Sequence, residues 1–190
     1  MNALANEKVG EFFARNIVAT YQKVGTFQVV NGQKQGGNVA SYFCLGDGTV
    51  LHAIAGPVDA DTMLREAKWV VETRKLAMLE GNGDGKKYQQ AIRQAHADRL
   101  LNEFGIHVDV RNTNAHANTN PFANPKMDGL AARAQMMHAK RGGGGNANQL
   151  RVHQLLVQNS MPKIETIYKY VFENILNQKI STQPVARIGG

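Results

Sequence analysis

The chain contains a single cysteine, Cys44, which is its one candidate thiol nucleophile. One cysteine cannot form an intramolecular disulfide or supply a zinc site built from several thiolates. Cys44 lies in the most apolar run of the sequence, with no adjacent Lys, Arg or His to lower the pKa of its thiol. We therefore predict a buried core cysteine, and keep Cys44 as the one candidate for a catalytic or redox-sensing residue.

The histidines are the other side chains with metal-binding or acid–base chemistry. There are six: His52, His96, His107, His116, His138 and His153. No two are four residues apart, and no His-Glu-x-x-His pattern occurs. A metal site would require the fold to gather distant histidines, which spacing alone does not show. From the sequence we predict no metal site and no cofactor.

Four consecutive glycines at positions 142–145 invite comparison with a phosphate-binding loop. The Walker pattern requires Gly-Lys followed by Ser or Thr at the start of a helix. Here Lys140 and Arg141 precede the glycines, and no such sequence follows them. The run is more typical of a hinge.

The excess positive charge is concentrated in the C-terminal part of the chain. The net charge is +7, residues 1–110 hold 12 residues of each sign, and residues 111–190 hold 10 basic against 3 acidic residues. This asymmetry has two interpretations, an acidic partner such as nucleic acid or a solvated basic helical surface. Without aromatic residues among the charges, we predict weak nucleic-acid binding at most.

The elements that position these residues follow from hydrophobic spacing and turn signals. Helices are predicted at residues 7–16, 59–80, 86–104, 128–141, 146–159 and 162–178, with Pro162 as the first residue of the last. Strands are predicted at residues 17–24, 26–30, 39–45, 49–55 and 106–110. Residues 39–45 are almost continuously apolar, which is typical of a strand buried on both faces.

The stretch from residue 39 to residue 71 resembles the C-terminal half of a thioredoxin-like domain. The likeness is in the order of features: a buried strand, the hairpin turn Asp47-Gly48, a second strand ending at Gly56, and a helix opened by Asp59. Upstream, Val9 and Phe12 precede Asn16-Ile17-Val18, similar to the end of the first helix and the next strand in that family. The resemblance covers about residues 5–80.

Two active-site elements of that family have no counterpart in this chain. The Cys-x-x-Cys would precede Glu7, where the chain has no cysteine, and the cis-proline would fall near Val39, where there is no proline. The resemblance therefore implies a scaffold without a dithiol centre, and no catalytic residue carries over.

The last predicted helix has an apolar stripe that must be covered. Its members are Ile164, Ile167, Tyr168, Val171, Phe172 and Ile175. The cover is either the chain's own core, as in a helical hairpin, or a protein partner or second copy. We favour the core and keep the stripe as a candidate partner-binding face.

Together these observations predict an α/β protein, with α+β as the alternative. Residues 1–110 form a truncated thioredoxin-like domain, residues 111–127 an Asn- and Pro-rich linker, and residues 128–190 a basic helical extension. The favoured function is a non-catalytic binding or assembly module. The alternatives are a thiol-dependent redox protein, either acting through Cys44 or part of a longer oxidoreductase, and a nucleic-acid-binding protein. Without a membrane-length apolar run or a signal sequence, we expect no membrane association and a cytoplasmic location.

Overall fold

The structure, a computed structural model, describes residues 3–22, 28–30, 33–35, 38–110 and 147–180. It is a mixed structure of helices and antiparallel strands, compatible with either predicted class. The predicted linker, the helix at 128–141 and the glycine run lie outside the described residues. No helix within the described ranges is long and apolar enough to cross a membrane.

Helices account for most of the described chain. After a short 3-10 turn at Ala3–Ala5, the helices are α1 (Glu7–Asn16), α2 (Ala60–Gly81), α3 (Gly85–Phe104), α4 (Ala147–Gln158) and α5 (Ile164–Tyr170), which continues into the π-helical turn Val171–Ile175. The strands form two antiparallel hairpins, β1 (Gln28–Val30) with β2 (Gln33–Gln35), and β3 (Ala40–Cys44) with β4 (Val50–Ala55).

The β3–β4 hairpin confirms the predicted turn at Asp47-Gly48. The Asp47 carboxylate accepts from the backbone N–H and the hydroxyl of Thr49, both at 3.0 Å. Gly48 adopts φ +79°, a conformation that side chains other than glycine rarely take. The turn thereby sets the strand register that pairs Phe43 with His52.

The strand buried on both sides is β4, not β3 as predicted. All six residues of β4 are buried, whereas most of β3 is half-buried. β4 contributes Leu51 and Ile54 to a core with α1, α2 and α3, and Val50 and Ala53 to another with α4 and α5. Since β3 hydrogen-bonds only to β4 among the described strands, it forms an edge of the hairpin.

The prediction that Cys44 is buried is wrong. Phe43 points into the core, where its ring contacts Phe13 and His52. The strand register shifts between Phe43 and Cys44, and the Cys44 side chain is exposed. The apolar run therefore does not bury all of its residues in the core, because alternate residues of an edge strand face opposite sides.

The helices α1, α2 and α3 each begin directly after an Asn or Asp whose side chain caps the helix. Asp59 caps α2 by accepting from Thr62 N–H at 2.7 Å, which confirms its predicted role. Asn6 and Asp84 cap α1 and α3 in the same way. Gly105 ends α3 at φ +68°, directly after the helix predicted at residues 86–104, in a conformation that glycine adopts readily.

Two predicted strands are not formed. Residues 17–22, the described part of the first, make no strand, and Val18 and Tyr21 are 97% and 96% exposed. In the second, residues 106–110, Ile106 instead packs into a cluster with Leu100 and Phe104 of α3. Neither segment has a neighbouring strand to pair with in the described chain, so local β-propensity is not expressed.

The C-terminal helices cover β4. The last helix begins at Ile164 rather than at Pro162, because Pro162 and Lys163 pair with Thr49 and Val50 at the start of β4. Val50 N–H donates to Pro162 C=O at 2.8 Å, and Ile164 N–H donates to Gly48 C=O at 3.0 Å.

The apolar stripe considered as a partner-binding face is covered by the chain itself. Ile167, Val171, Phe172 and Ile175 are buried. Ile164 and Tyr168, the other two members, are half-buried. The intramolecular alternative is therefore the one the structure adopts, and the stripe is not a free binding surface.

We expect Phe172→Ala to lower the free energy of unfolding by about 3–5 kcal/mol, because it removes a buried aromatic ring. Leu79→Ala, at a side chain 77% exposed, is the control and should change it by less than about 0.5 kcal/mol. Urea denaturation gives both values, and sedimentation should show an unchanged mass. A Phe172→Ala chain of normal stability but altered mass would contradict the intramolecular packing.

Candidate metal centre

Three histidines that are far apart in sequence meet in the core. His52 comes from β4, His96 from α3 and His153 from α4. One ring nitrogen of each lies within 4.8 Å of the corresponding nitrogens of the other two, an arrangement that could hold a metal ion. We call these three residues the histidine cluster.

The cluster is closed off from solvent. The exposed fractions of His52, His96 and His153 are 0%, 1% and 0%. The ring centroids lie 5.0–5.6 Å apart, and the Trp69 ring, from α2, meets all three edge-on at 4.9–5.9 Å. Such burial requires each polar ring nitrogen to find a partner inside the protein.

His96 has a defined tautomer because one of its partners can only accept. Its Nε2 lies 2.8 Å from the carbonyl oxygen of Leu51, so Nε2 carries the proton and donates. In the neutral ring Nδ1 is then an unprotonated acceptor. That Nδ1 lies 2.8 Å from Nδ1 of His153, so the two rings share one N–H···N hydrogen bond in the absence of metal.

His52 is oriented by a carboxylate. Its Nε2 lies 3.2 Å from Oε2 of Glu66 and 3.3 Å from the amide nitrogen of Gln149. A protonated Nε2 donating to Glu66 avoids placing a lone pair against a carboxylate. Nδ1 of His52 is then a buried acceptor, and no hydrogen-bond partner reaches it in the described structure.

A second ring nitrogen, Nε2 of His153, is likewise buried without a hydrogen-bond partner among the described residues. When His153 donates from Nδ1 to His96, its Nε2 is an unused acceptor. The cluster therefore contains two buried acceptors without partners among the described residues, an arrangement that costs free energy. An ion held by Nδ1 of His96, Nδ1 of His153 and Nδ1 of His52 would use the free lone pair of His52, and the proton on His153 would then sit on Nε2.

Glu66 is held by an ion pair with Arg99. The Arg99 guanidinium donates to both carboxylate oxygens, with the second nitrogen at 3.0 Å from Oε1, and it also donates to Glu103. Its central carbon lies 4.7 Å from the centre of the Trp69 ring. Burial opposes ionisation of Glu66, but the bonds from His52 and Arg99 prevail and hold its pKa well below the usual range.

The histidines are neutral in the fold. Burial is the main cause that lowers the pKa of His96, to about 3, with repulsion from His52 adding to it. Burial also lowers the pKa of His52 and brings that of His153 well below its ordinary value. Neutral imidazole is the form that ligates metals, so the cluster is in the required protonation state.

The spacing is close to that of a metal site. Zinc binds histidine nitrogen at about 2.0–2.1 Å with tetrahedral geometry, which places ligand nitrogens about 3.4 Å apart. The His96–His153 nitrogens are closer than this, at 2.8 Å, and the widest separation in the cluster is within 4.8 Å. Small side-chain movements would therefore be enough to seat an ion.

Helical spacing explains how the surrounding residues arrive together. Glu66 and Trp69 are three apart on α2, as are His96 and Arg99 on α3, while Gln149 and His153 are four apart on α4. Residues three or four apart share one face of a helix. The sequence prediction did not find the cluster, because no spacing relates a strand to two separate helices.

The other candidate residues lie elsewhere. Cys44 is not part of the cluster, and His107 is exposed in the segment after α3. His116 and His138 fall outside the described residues. No family model, curated protein or solved structure matches the chain, so the thioredoxin-like resemblance stays a prediction.

Burial of neutral histidines makes stability depend on pH. In the unfolded chain histidine titrates near pH 6.5, whereas all three cluster histidines have lower folded pKa values. Below about pH 6.5 the unfolded state therefore binds more protons, and the free energy of unfolding decreases as the pH falls. Each histidine contributes up to about 1.4 kcal/mol per pH unit to this decrease, or roughly 4 kcal/mol per pH unit for the three together.

We expect metal-free protein to lose stability steeply between pH 7 and pH 5, as measured by urea denaturation with a chelator present. Glu66 does not contribute in this window, because a carboxylate with a lowered pKa loses its stabilisation only below about pH 4.3. His107→Gln should keep the slope, and a folded His96→Gln chain should show a shallower one. Equal stability at pH 7 and pH 5 would contradict the neutral, buried state.

The exposed thiol of Cys44 should nevertheless react slowly. Partial desolvation, followed by the carboxylates of Glu165 and Asp47, raises its pKa to about 11. This higher pKa reduces the thiolate population at pH 7.5 roughly 100-fold, and the greater nucleophilicity of a more basic thiolate offsets part of the loss in reactivity. We expect labelling at pH 7.5 to be at least about tenfold slower in the native protein than in denaturant. Equal rates would show that the thiol is not suppressed.

Proposed function

We propose that this protein binds one transition-metal ion, with zinc as the best fit, through His52, His96 and His153. The observation that supports this most strongly is the set of partners on the far side of two rings. Glu66 accepts from Nε2 of His52, and the Leu51 carbonyl accepts from Nε2 of His96. Histidine ligands are usually oriented in this way, with the remaining N–H given to a carboxylate or a backbone carbonyl.

The donor set favours zinc or a neighbouring divalent ion. Three neutral imidazoles are borderline ligands that suit Zn²⁺, Cu²⁺, Ni²⁺ and Fe²⁺, whereas Ca²⁺ and Mg²⁺ prefer oxygen ligands. Three protein ligands leave one position of a tetrahedral ion for water or another small ligand. The orienting carboxylate, Glu66, is itself fixed by Arg99, so the ligand shell is supported on its outer side.

The ion would act as a clamp between two halves of the fold. His52 belongs to the hairpin, whereas His96 and His153 belong to helices on either side of the stretch that separates α3 from α4 in the sequence. An ion bound to all three would join β4, α3 and α4 directly. Because the unfolded chain holds no such site, the binding free energy would add to the stability of the fold.

A thioredoxin-like binding module without a dithiol is the second candidate. It is favoured by the antiparallel β3–β4 hairpin with its Asp47-Gly48 turn, followed by a helix that Asp59 caps. These elements follow the order of the resemblance. The two proposals are compatible, since the histidine cluster lies between this hairpin and the C-terminal helices.

Zinc titration of chelator-treated protein tests the metal-binding proposal. We expect one equivalent to bind in calorimetry and the melting temperature to rise. At a free zinc concentration 100 times the dissociation constant the gain in stability is about 2.7 kcal/mol. Cobalt, used in place of zinc, should give the visible absorption of a low-symmetry, four-coordinate ion.

Two matched variants separate this site from adventitious binding. His153→Gln removes one ligand and should weaken zinc binding at least about tenfold, provided circular dichroism shows that the chain stays folded. His107→Gln removes an exposed histidine and should leave binding unchanged. Unaltered one-to-one binding in a folded His96→Gln, His153→Gln double variant would overturn the proposal, as would the absence of binding to the wild-type chain.

A further inference from the structure

A cavity of about 320 Å³ lies next to the histidine cluster. Its wall includes Glu66 and Gln149, the two side chains that contact Nε2 of His52. One layer of side chains therefore separates the cavity from the nearest ring of the cluster. Since the rings themselves are closed to solvent, an ion has to cross such a layer to reach them.

The cavity is acidic although the chain as a whole is basic. Its lining contains three carboxylates, those of Asp59, Glu66 and Glu103, and one guanidinium, that of Arg65, which lies 3.4 Å from Oε1 of Glu66. With Arg99, which pairs with Glu66 and Glu103, counted as a second cation, one negative charge remains in excess. The chain has a net charge of +7, so this cavity is a local exception to the overall field. A recess lined by one sign of charge concentrates ions of the opposite sign and raises their rate of association.

Glu66 lies between the cavity and the histidine cluster. One of its oxygens accepts from His52, and both oxygens are bonded to Arg99, which also holds Glu103 at the cavity wall. A divalent cation in the cavity would compete with Arg99 for the same carboxylate oxygens. Displacement of that guanidinium would leave the cation bound to Glu66, which also contacts the ring of His52.

Resting on the proposed metal-binding function, we infer that this cavity is the route by which the metal ion reaches the histidine cluster, with Glu66 as the carboxylate that passes it to His52. The charges at the wall set the rate of entry, and the histidines set the affinity. Removing a wall charge that does not contact a histidine should therefore change the association rate while leaving the equilibrium constant nearly the same.

Stopped-flow mixing of metal-free protein with Co²⁺, followed by its visible absorption, measures the association rate directly. We expect Glu103→Gln to slow association about fivefold at low ionic strength, the factor for one charge about 8 Å from a divalent ion in water. Arg65→Gln should accelerate it by a similar factor. Both differences should shrink in about 1 M salt, where the screening length is only about 3 Å.

Glu72→Gln is the matched control, because Glu72 is an exposed residue of α2 that does not line the cavity. It should leave the rate unchanged. Thr62→Trp tests the route without changing charge, since it fills the cavity with a bulky side chain. It should slow association and dissociation alike, leaving the dissociation constant within about twofold of the wild-type value.

The outcomes separate the route from the site. If the wild-type protein binds no cobalt, the metal-binding proposal fails and the route fails with it. If cobalt binds through the histidines but Glu103→Gln, Arg65→Gln and Thr62→Trp all associate at the wild-type rate, the route alone is overturned. Opposite rate changes in the two charge variants, with an unchanged Glu72→Gln control, establish it.

Discussion

The burial of β4 on both of its sides is the constraint on which the rest of this structure depends. A strand covered on one side by α2 and on the other by α4 has no solvent-facing position, yet β4 carries a histidine in its middle. The ring nitrogens of His52 therefore depend for partners on the elements packed around them. The helices bring polar residues on their buried faces to Nε2, Glu66 from α2 and Gln149 from α4, and leave Nδ1 without a partner among the described residues.

The resulting core is polar at its centre and apolar around it. Its charged groups lie towards the outside, and its innermost polar groups are neutral. Arg99 compensates Glu66, Glu66 accepts from His52, and the innermost rings are neutral. One charged pair near the boundary thus fixes the orientation of an uncharged interior, which leaves lone pairs without donors. Buried, unpaired acceptors of this kind are uncommon in proteins unless a ligand uses them, and this is the physical basis of the proposed metal site.

Local signals in the sequence were reliable where the cause was local. The Asp47-Gly48 turn, the Asp59 cap and the Gly105 helix end depend on the conformations of a few neighbouring residues, and each is formed as predicted. Signals that depend on a partner far away in the sequence were not reliable. The run at residues 39–45 predicted a buried Cys44, but an edge position turned that thiol outward, and residues 17–22 found no strand to pair with.

The sequence by itself determined the elements that carry the three histidines. A strand at residues 49–55 and helices at residues 86–104 and 146–159 were predicted from it, and β4, α3 and α4 lie within or close to those bounds. Only the tertiary structure decided that the three would meet, because their separations of 44 and 57 residues carry no geometric information until β4, α3 and α4 are packed. Periodicity fixes which face of one element is buried, whereas the contacts between elements depend on how complementary surfaces close around a shared core.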